Sequence, residues 1–310
     1  MHSDTVSPET YAEIVTSLPV PVWNSPLAVE LYGNTLNVVC RSRRGRTAGV
    51  WVCPLDAEGE GAGEPAARRG FRLLPYASPW VDPGLHPVDR HRTVVSLVAA
   101  VMERVTAIDL PMDPRFGEVA ALAEAGAEAL CRHTRMLDLR DDKDPRESYV
   151  PKVRNHLRAA GREVDVDRAG PESFDFSRAV VGQPEAAVAA RRRSGLRLGR
   201  DQDGTVHCLA ATDREGVCRG QVFVLRCDGA DVLMHSWFDR TGPRGVPSLL
   251  VDAAVARAVR DPGTDAFDFE GSVIPSIDHF MTGFGARAHA YPQLLWRRSA
   301  GSSDGAREFG

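Results

Sequence analysis

The chain has 310 residues, of which 43% are hydrophobic and 7% aromatic, an ordinary globular composition with room for two cores. A formal net charge of −4 and a pI near 6.2 exclude a protein that binds nucleic acid through bulk positive charge, although a local basic groove is compatible with both values. Met1–Thr10 is polar and acidic and no apolar run reaches spanning length, so no signal peptide, no membrane span and a cytoplasmic location are expected. Six scattered cysteines, with no Cys-x-x-Cys and no histidine at a ligand spacing, read as reduced thiols, and no metal is expected.

In chain order, Leu36–Cys40 and Gly49–Leu55 are β-rich runs around the polar turn Arg41–Arg46 and read as a hairpin. A Gly, Glu and Ala loop follows over Asp56–Arg69. In Leu73–Gly84, three prolines and a glycine impose an irregular path, which makes Tyr76 and Trp80 candidate wall residues of a binding site. Val94–Val105 has helical periodicity, Ile108–Pro111 reads as a strand, and Leu130–Leu139 as another. Asp141–Arg146, charged and containing a proline, is the expected domain boundary.

Beyond it come a basic helix over Tyr149–Gly161 with Lys152, Arg154 and Arg158, a strand over Glu163–Asp167, and a helix over Ala179–Arg193 that ends in three arginines. Val206–Thr212, Gly220–Arg226 and Val232–Phe238 are strands in series. A helix over Pro247–Val259, a strand around Asp268, a short helix over Ser276–Gly283 and a strand over Ala288–Trp296 complete the pattern. Residues 299–310 read as a disordered tail.

One spacing organises the whole chain. The step from Asp109 to Gly126 equals the step from Asp268 to Gly285, and each pair lies in a helix–strand–helix–strand unit. The expectation is an internal repeat, with an N-terminal domain over 1–145 and a C-terminal domain over 146–298.

Three stretches resemble the GNAT acyltransferase superfamily, and within it the tandem-domain Fem-like aminoacyl-tRNA-dependent transferases. They are the basic helix with Lys152, Arg154, Asn155, Arg158 and Gly161; the strand end Ser236-Trp237-Phe238-Asp239 before a Gly/Pro turn and Ser248-Leu249-Leu250; and Phe267-Asp268-Phe269-Glu270-Gly271-Ser272 with Phe280, Phe284-Gly285-Ala286 and Tyr291. The resemblance implies an α/β fold of mixed sheets, two tandem GNAT-like domains with a cleft between them, the first degenerate and the second catalytic. It departs from the family at the phosphate loop. Arg240-Thr241-Gly242-Pro243-Arg244-Gly245-Val246-Pro247 has the composition of an acetyl-CoA loop without its spacing, and two prolines remove amide donors.

Amide formation needs a neutral amine, an oxyanion donor and a path for the amine proton. The resemblance implies a backbone N–H of the strand around His235–Asp239 as oxyanion donor. Glu270, at the end of the next strand, is the candidate base, and strand alternation puts it on one face with Asp268 provided the strand runs as far as Glu270. His235 and Tyr291 are the other catalytic candidates, Tyr291 as acid for the leaving group. Arg240, Gly242, Arg244, Gly245 and Ser248 are the candidate carrier-phosphate residues. Trp237, Asp268 and Ser272 join Tyr76 and Trp80 as candidate substrate residues, with helix capping the competing role for Ser272. The arginines at 191–193, with Arg197 and Arg200, are either a phosphate footing or a solvated helix end.

The function expected is an amide-forming acyltransferase that moves an aminoacyl or acyl group to an amine of a small molecule or peptide. Aminoacyl-tRNA is the favoured co-substrate and acyl-CoA the second, with no tightly bound cofactor and no DNA partner. The alternatives are an acyl-CoA-dependent N-acetyltransferase and a non-catalytic binding protein on the same scaffold.

Overall fold

The computed structural model describes residues 1–56, 65–68, 74–140, 144–179, 185–201, 205–271 and 274–298. Most of the loop expected over Asp56–Arg69, part of the boundary segment Asp141–Arg146, Ser272 and the tail 299–310 lie outside these residues. The strands are β1 (His2–Val6), β2 (Thr35–Arg41), β3 (Thr47–Pro54), β4 (Ala67–Arg68), β5 (Trp80–Val81), β6 (Ala107–Pro111), β7 (Glu128–Asp138), β8 (Val164–Ala169), β9 (Val206–Asp213), β10 (Cys218–Cys227), β11 (Ala230–Phe238), β12 (Ala266–Asp268) and β13 (Arg287–Arg297). The helices are α1 (Pro8–Val15), α2 (Pro26–Tyr32), α3 (Pro87–Met102), α4 (Val119–Glu124), α5 (Pro151–Ala160), α6 (Phe176–Ala179), α7 (Glu185–Asp201), α8 (Val246–Val259) and α9 (Pro275–Thr282). No helix among the described residues is long and apolar enough to cross a membrane.

The chain divides into two compact units. Unit 1 takes residues 1–70, 76–132 and 291–310, and unit 2 takes 71–75 and 133–290. This differs from a cut after residue 145, because β7 and β13 each begin in one unit and end in the other.

Unit 1 holds the antiparallel sheet β1-β2-β3-β5 and the strands β4-β6-β13. Its core includes Val38, Trp51, Leu97, Val98, Ile108, Leu110, Leu122 and, from β13, Leu294. The polar edge strand β1 pairs with β2 along its whole length, a partner that its sequence (Ser3, Asp4, Thr5) does not advertise. In unit 2 the order is β7-β12-β11-β10-β9-β8, with the β11–β12 pair parallel and the other neighbouring pairs antiparallel. The unit 2 core includes Val153, Val222, Val224, Leu250, Val255, Phe267 and Phe284. Helix α8 turns Leu250, Val251, Ala254, Val255 and Ala258 inward, the three-to-four-residue spacing of one helical face.

The repeat is visible in the strand registers. In unit 1, Asp109 of β6 lies opposite Leu295 of β13, and in unit 2 Asp268 of β12 lies opposite Met136 of β7. The step from Met136 to Leu295 equals the step from Asp109 to Asp268, so the two pairings are copies of each other. Gly126 and Gly285 both adopt positive φ, +87° and +79°, a conformation in which a side chain is costly.

Residues 74–79 form a packed connector, while Pro83 and Gly84 are exposed. Leu74, Tyr76, Ala77 and Ser78 are buried. The Trp51 indole donates to the Ala77 carbonyl at 2.6 Å, the Asn24 amide to the Ser78 carbonyl at 2.7 Å, and the Asp113 N–H to the Ser78 hydroxyl. Four of the six cysteines are buried, and no disulfide joins any of the six.

Candidate active site

The site forms where β11 and β12 part. Their parallel pairing runs from Ala230–Ala266 to Val232–Asp268 and stops there, while β11 continues to Phe238. In a strand, alternate residues direct their N–H and C=O to opposite edges, so alternate groups between Leu233 and Phe238 face the gap left by β12. Opposite Phe223 and Val224 of β10, β11 carries one extra residue, Met234, a bulge that shifts the register by one within the same stretch.

The chain leaves β12 through two successive left-handed residues, Glu270 at φ +62° and Gly271 at φ +67°. Such a conformation is uncommon for a glutamate and costs about 1–3 kcal/mol. Asp268 holds it. Its carboxylate is 1% exposed and accepts both the Thr134 hydroxyl and the Glu270 N–H, the latter at 2.8 Å. Phe269 donates its N–H to the Arg135 carbonyl, and a side chain at Gly271 would sit 2.8 Å from the His133 carbonyl oxygen. Strand alternation therefore ends at Asp268. The expectation that Asp268 and Glu270 share a strand face is corrected: Asp268 is buried and fixes the turn, whereas Glu270 is partly exposed beyond it.

The gap opens into a cleft of about 1540 Å³ lined only by residues of unit 2. Its floor is apolar. Its lining includes Lys152, Arg178, Arg191, Arg240 and Arg244, while Asp239 is the single lining carboxylate among the described residues. Asp239 is already engaged: it accepts from the Thr241 hydroxyl and amide and pairs with Arg219 at 2.8 Å, contacts that hold its carboxyl down at about 2. Arg219 in turn pairs with Asp213 at 2.6 Å. Arg240 and Arg244 are exposed, with no carboxylate in ion-pair distance among the described residues.

The turn ends at Gly245, which caps α8 with φ +94°, and a Cβ there would lie 2.6 Å from the His156 carbonyl oxygen. Pro247 sits in the first turn of α8, so the amides there number one fewer than usual. Gly242 packs against the Arg219 side chain. Ser248 is 1% exposed and does not line the cleft; its hydroxyl meets His156 Nδ1 at 3.4 Å. It holds His156, which does line the cleft beside Lys152, one helical turn earlier on α5.

On the other side Trp237 lines the cleft, its indole donating to Gln221 at 2.8 Å and its ring covered by the Arg178 guanidinium at 3.8 Å. The remaining expected residues lie elsewhere. His235 packs against the rings of Phe176 and Phe223 and does not line the cleft. Tyr291 belongs to unit 1, where its ring meets Tyr76 edge-on at 5.8 Å, and Tyr76 meets Trp23. Trp80 pairs with Val50 in the unit 1 sheet. Sequence reasoning missed His156, Leu233, Val251 and Arg178 as lining residues. The Lys152 to His156 spacing on one helical face was the available signal for the first.

No family model matches the sequence, and no curated protein matches it. Solved structures do. FemX superposes with a TM-score of 0.64 at 12% identity, covering 96% of this chain and 98% of that one. The chain has the fold of the Fem-like and tandem GNAT proteins. The C-terminal domain of a putative lysylphosphatidylglycerol synthetase from Agrobacterium fabrum gives 0.56 at 13% identity over 93% and 92% of the two chains. A tandem GNAT protein from the clavulanic acid biosynthesis pathway gives 0.54 at 17% identity over 98% and 99%. In this Fem-like GNAT fold, the cleft where β11 and β12 diverge is the candidate site of chemistry.

Proposed function

We propose that the protein is an acyltransferase that takes an aminoacyl or acyl group from a phosphate-bearing carrier and places it on an amine. The observation that carries this reading is the release of the β11 edge beyond Val232, directly beside the cationic turn at Arg240–Gly245 and the start of α8. The carbonyl of the donor lies on that edge and its oxygen accepts a backbone N–H. The amine nitrogen attacks the carbonyl carbon, and the oxyanion that forms is stabilised by the same donor. The carbon–oxygen bond of an ester, or the carbon–sulfur bond of a thioester, then breaks. Glu270 follows the lining residue Phe269 but does not itself line the cleft, so the amine proton passes to it through water, and the leaving oxygen or sulfur takes a proton from solvent.

Aminoacyl-tRNA is the favoured carrier. Five cations among the lining residues of a cleft larger than an ordinary small-ligand pocket, about 300–1,000 Å³, suit an extended phosphate backbone. The prolines at 243 and 247 withdraw amides from a compact pyrophosphate cradle, which places acyl-CoA second. The acceptor is a small-molecule or peptide amine.

The test is to follow loss of the acyl ester from aminoacyl-tRNA, and of the thioester from acetyl-CoA, with hydroxylamine as surrogate acceptor. Protein-dependent transfer from tRNA supports the reading, and transfer from coenzyme A alone exchanges the carrier. Tight carrier binding with no transfer from either sinks it in favour of a binding protein.

A further inference from the structure

The cleft floor joins directly to the open β11 edge. Leu233 and Phe238 come from β11 itself, Val251 from α8, Phe269 from the residue after β12, and Phe280 and Met281 from α9. Val251, Phe269 and Met281 are buried members of the unit 2 core, and Leu233, Phe238 and Phe280 are partly buried against it. A group held with its carbonyl on the β11 edge therefore extends over aromatic and aliphatic carbon.

Among the described lining residues, no carboxylate is left over to complement a cation. Asp239, the one lining carboxylate among the described residues, is bound to Arg219 and Thr241, and the other charged lining residues are Lys152, Arg178, Arg191, Arg240 and Arg244. An ammonium at the far end of the transferred group's side chain, over the apolar residues, would lose its water without gaining a partner and would meet the like charges of the lining, both of which disfavour it. An apolar chain gains from leaving water at each carbon.

We infer that the transferred group carries an uncharged, apolar side chain, of aliphatic or aromatic type, and that the cleft discriminates against a basic one. This rests on the acyltransferase reading for the direction of the carbonyl. It goes beyond it in naming the side-chain class, which the presence of lysylphosphatidylglycerol synthetase domains among the structural neighbours leaves open.

The experiment uses the full chain and a matched pair of carrier-free probes, the N-acetylcysteamine thioesters of hexanoic acid and of its ω-amino analogue. The probes differ only in a terminal ammonium. Binding, read by competition calorimetry, is expected to favour hexanoyl by at least about tenfold. Leu233→Glu and, independently, Phe280→Glu supply a carboxylate to the chamber and are expected to narrow or reverse that ratio. Two half-buried positions are used so that misfolding of one leaves the other to decide.

Equal or tighter binding of the ω-amino probe by the wild-type protein overturns the inference, as does failure to bind hexanoyl. The carrier reading fails separately. A protein that discriminates between the probes yet binds neither charged tRNA nor acyl-CoA keeps the apolar chamber and loses the proposed carrier.

Discussion

At the scale of single residues, Asp268 and Glu270 divide the work that strand alternation had given to both. Asp268→Ala leaves a buried Thr134 hydroxyl and the Glu270 N–H without their acceptor, a loss of about 1–3 kcal/mol in urea unfolding. An unchanged midpoint would show that the carboxylate does not hold the turn. Glu270 has two separable properties, its left-handed backbone and its carboxylate. Glu270→Gly relieves the backbone strain and should unfold at higher denaturant than Glu270→Gln, which keeps it. If the carboxylate accepts the amine proton, both variants lose turnover by roughly 100-fold to 10,000-fold; wild-type turnover in either removes the proton role. Far from the cleft, His207 is 2% exposed, and burial first, then the Arg257 and Arg226 charges, pull its imidazole down to about 3. Between that value and the unfolded value near 6.5, the unfolded chain binds a proton that the folded chain does not. This contribution to stability is therefore fully present above about pH 6.5 and declines as pH falls toward 3. Thermal melts of His207→Leu should show a flatter slope across that window, and an identical slope would count against it. None of this was readable in the sequence: Phe267-Asp268-Phe269-Glu270 alternates like a strand, and only the pairing that ends at Asp268 shows where the strand stops.

At the scale of elements, the start of α8 is fixed by close approach to α5. Gly245→Ala would push a methyl group against the His156 carbonyl and into a disfavoured φ, so both stability and carrier affinity should fall together. Replacing Arg240 and Arg244 together by alanine should do something different, because both are exposed: carrier affinity drops and its salt dependence becomes shallower by about one to two units, with the melting temperature kept. An unchanged salt slope would reduce the turn to a connector. The turn was legible because Gly, Arg and a helix start coincide. The strand trio β9–β11 was legible from β-branched runs separated by Asp-Gly-type turns. The role of Ser248 was not, since a serine in the first turn of a helix looks the same whether its hydroxyl faces a ligand or a buried histidine. Segment 74–84 was open for a similar reason: prolines fix an irregular path in a binding loop and in a packed connector alike, and the bonds from Trp51, Asn24 and Asp113 show that Ala77 and Ser78 are packed.

At the scale of the whole molecule, the repeat was readable from two equal spacings, but the exchange of strands was not, because hydrophobic pattern says that a strand exists and not which neighbour it joins. The cut suggested by the charged segment at 141–146 would separate β7 from β12 and β13 from β6. A fragment over 146–298 should consequently lack a cooperative melt by circular dichroism, and one that begins at His133 should regain it. A sharp transition in the shorter fragment would mean that β7 is dispensable to unit 2. The same strand path bears on synthesis. Strand β6 emerges early, yet the strand that pairs with it, and that delivers Leu294 to the unit 1 core, is the last element of the described chain. Until Gln293–Arg297 leave the ribosome, β6 keeps one edge unpaired, the state in which strands recruit unwanted partners. The unit that is translated first is thus the one completed last, and its window of vulnerability is set by the time taken to translate unit 2.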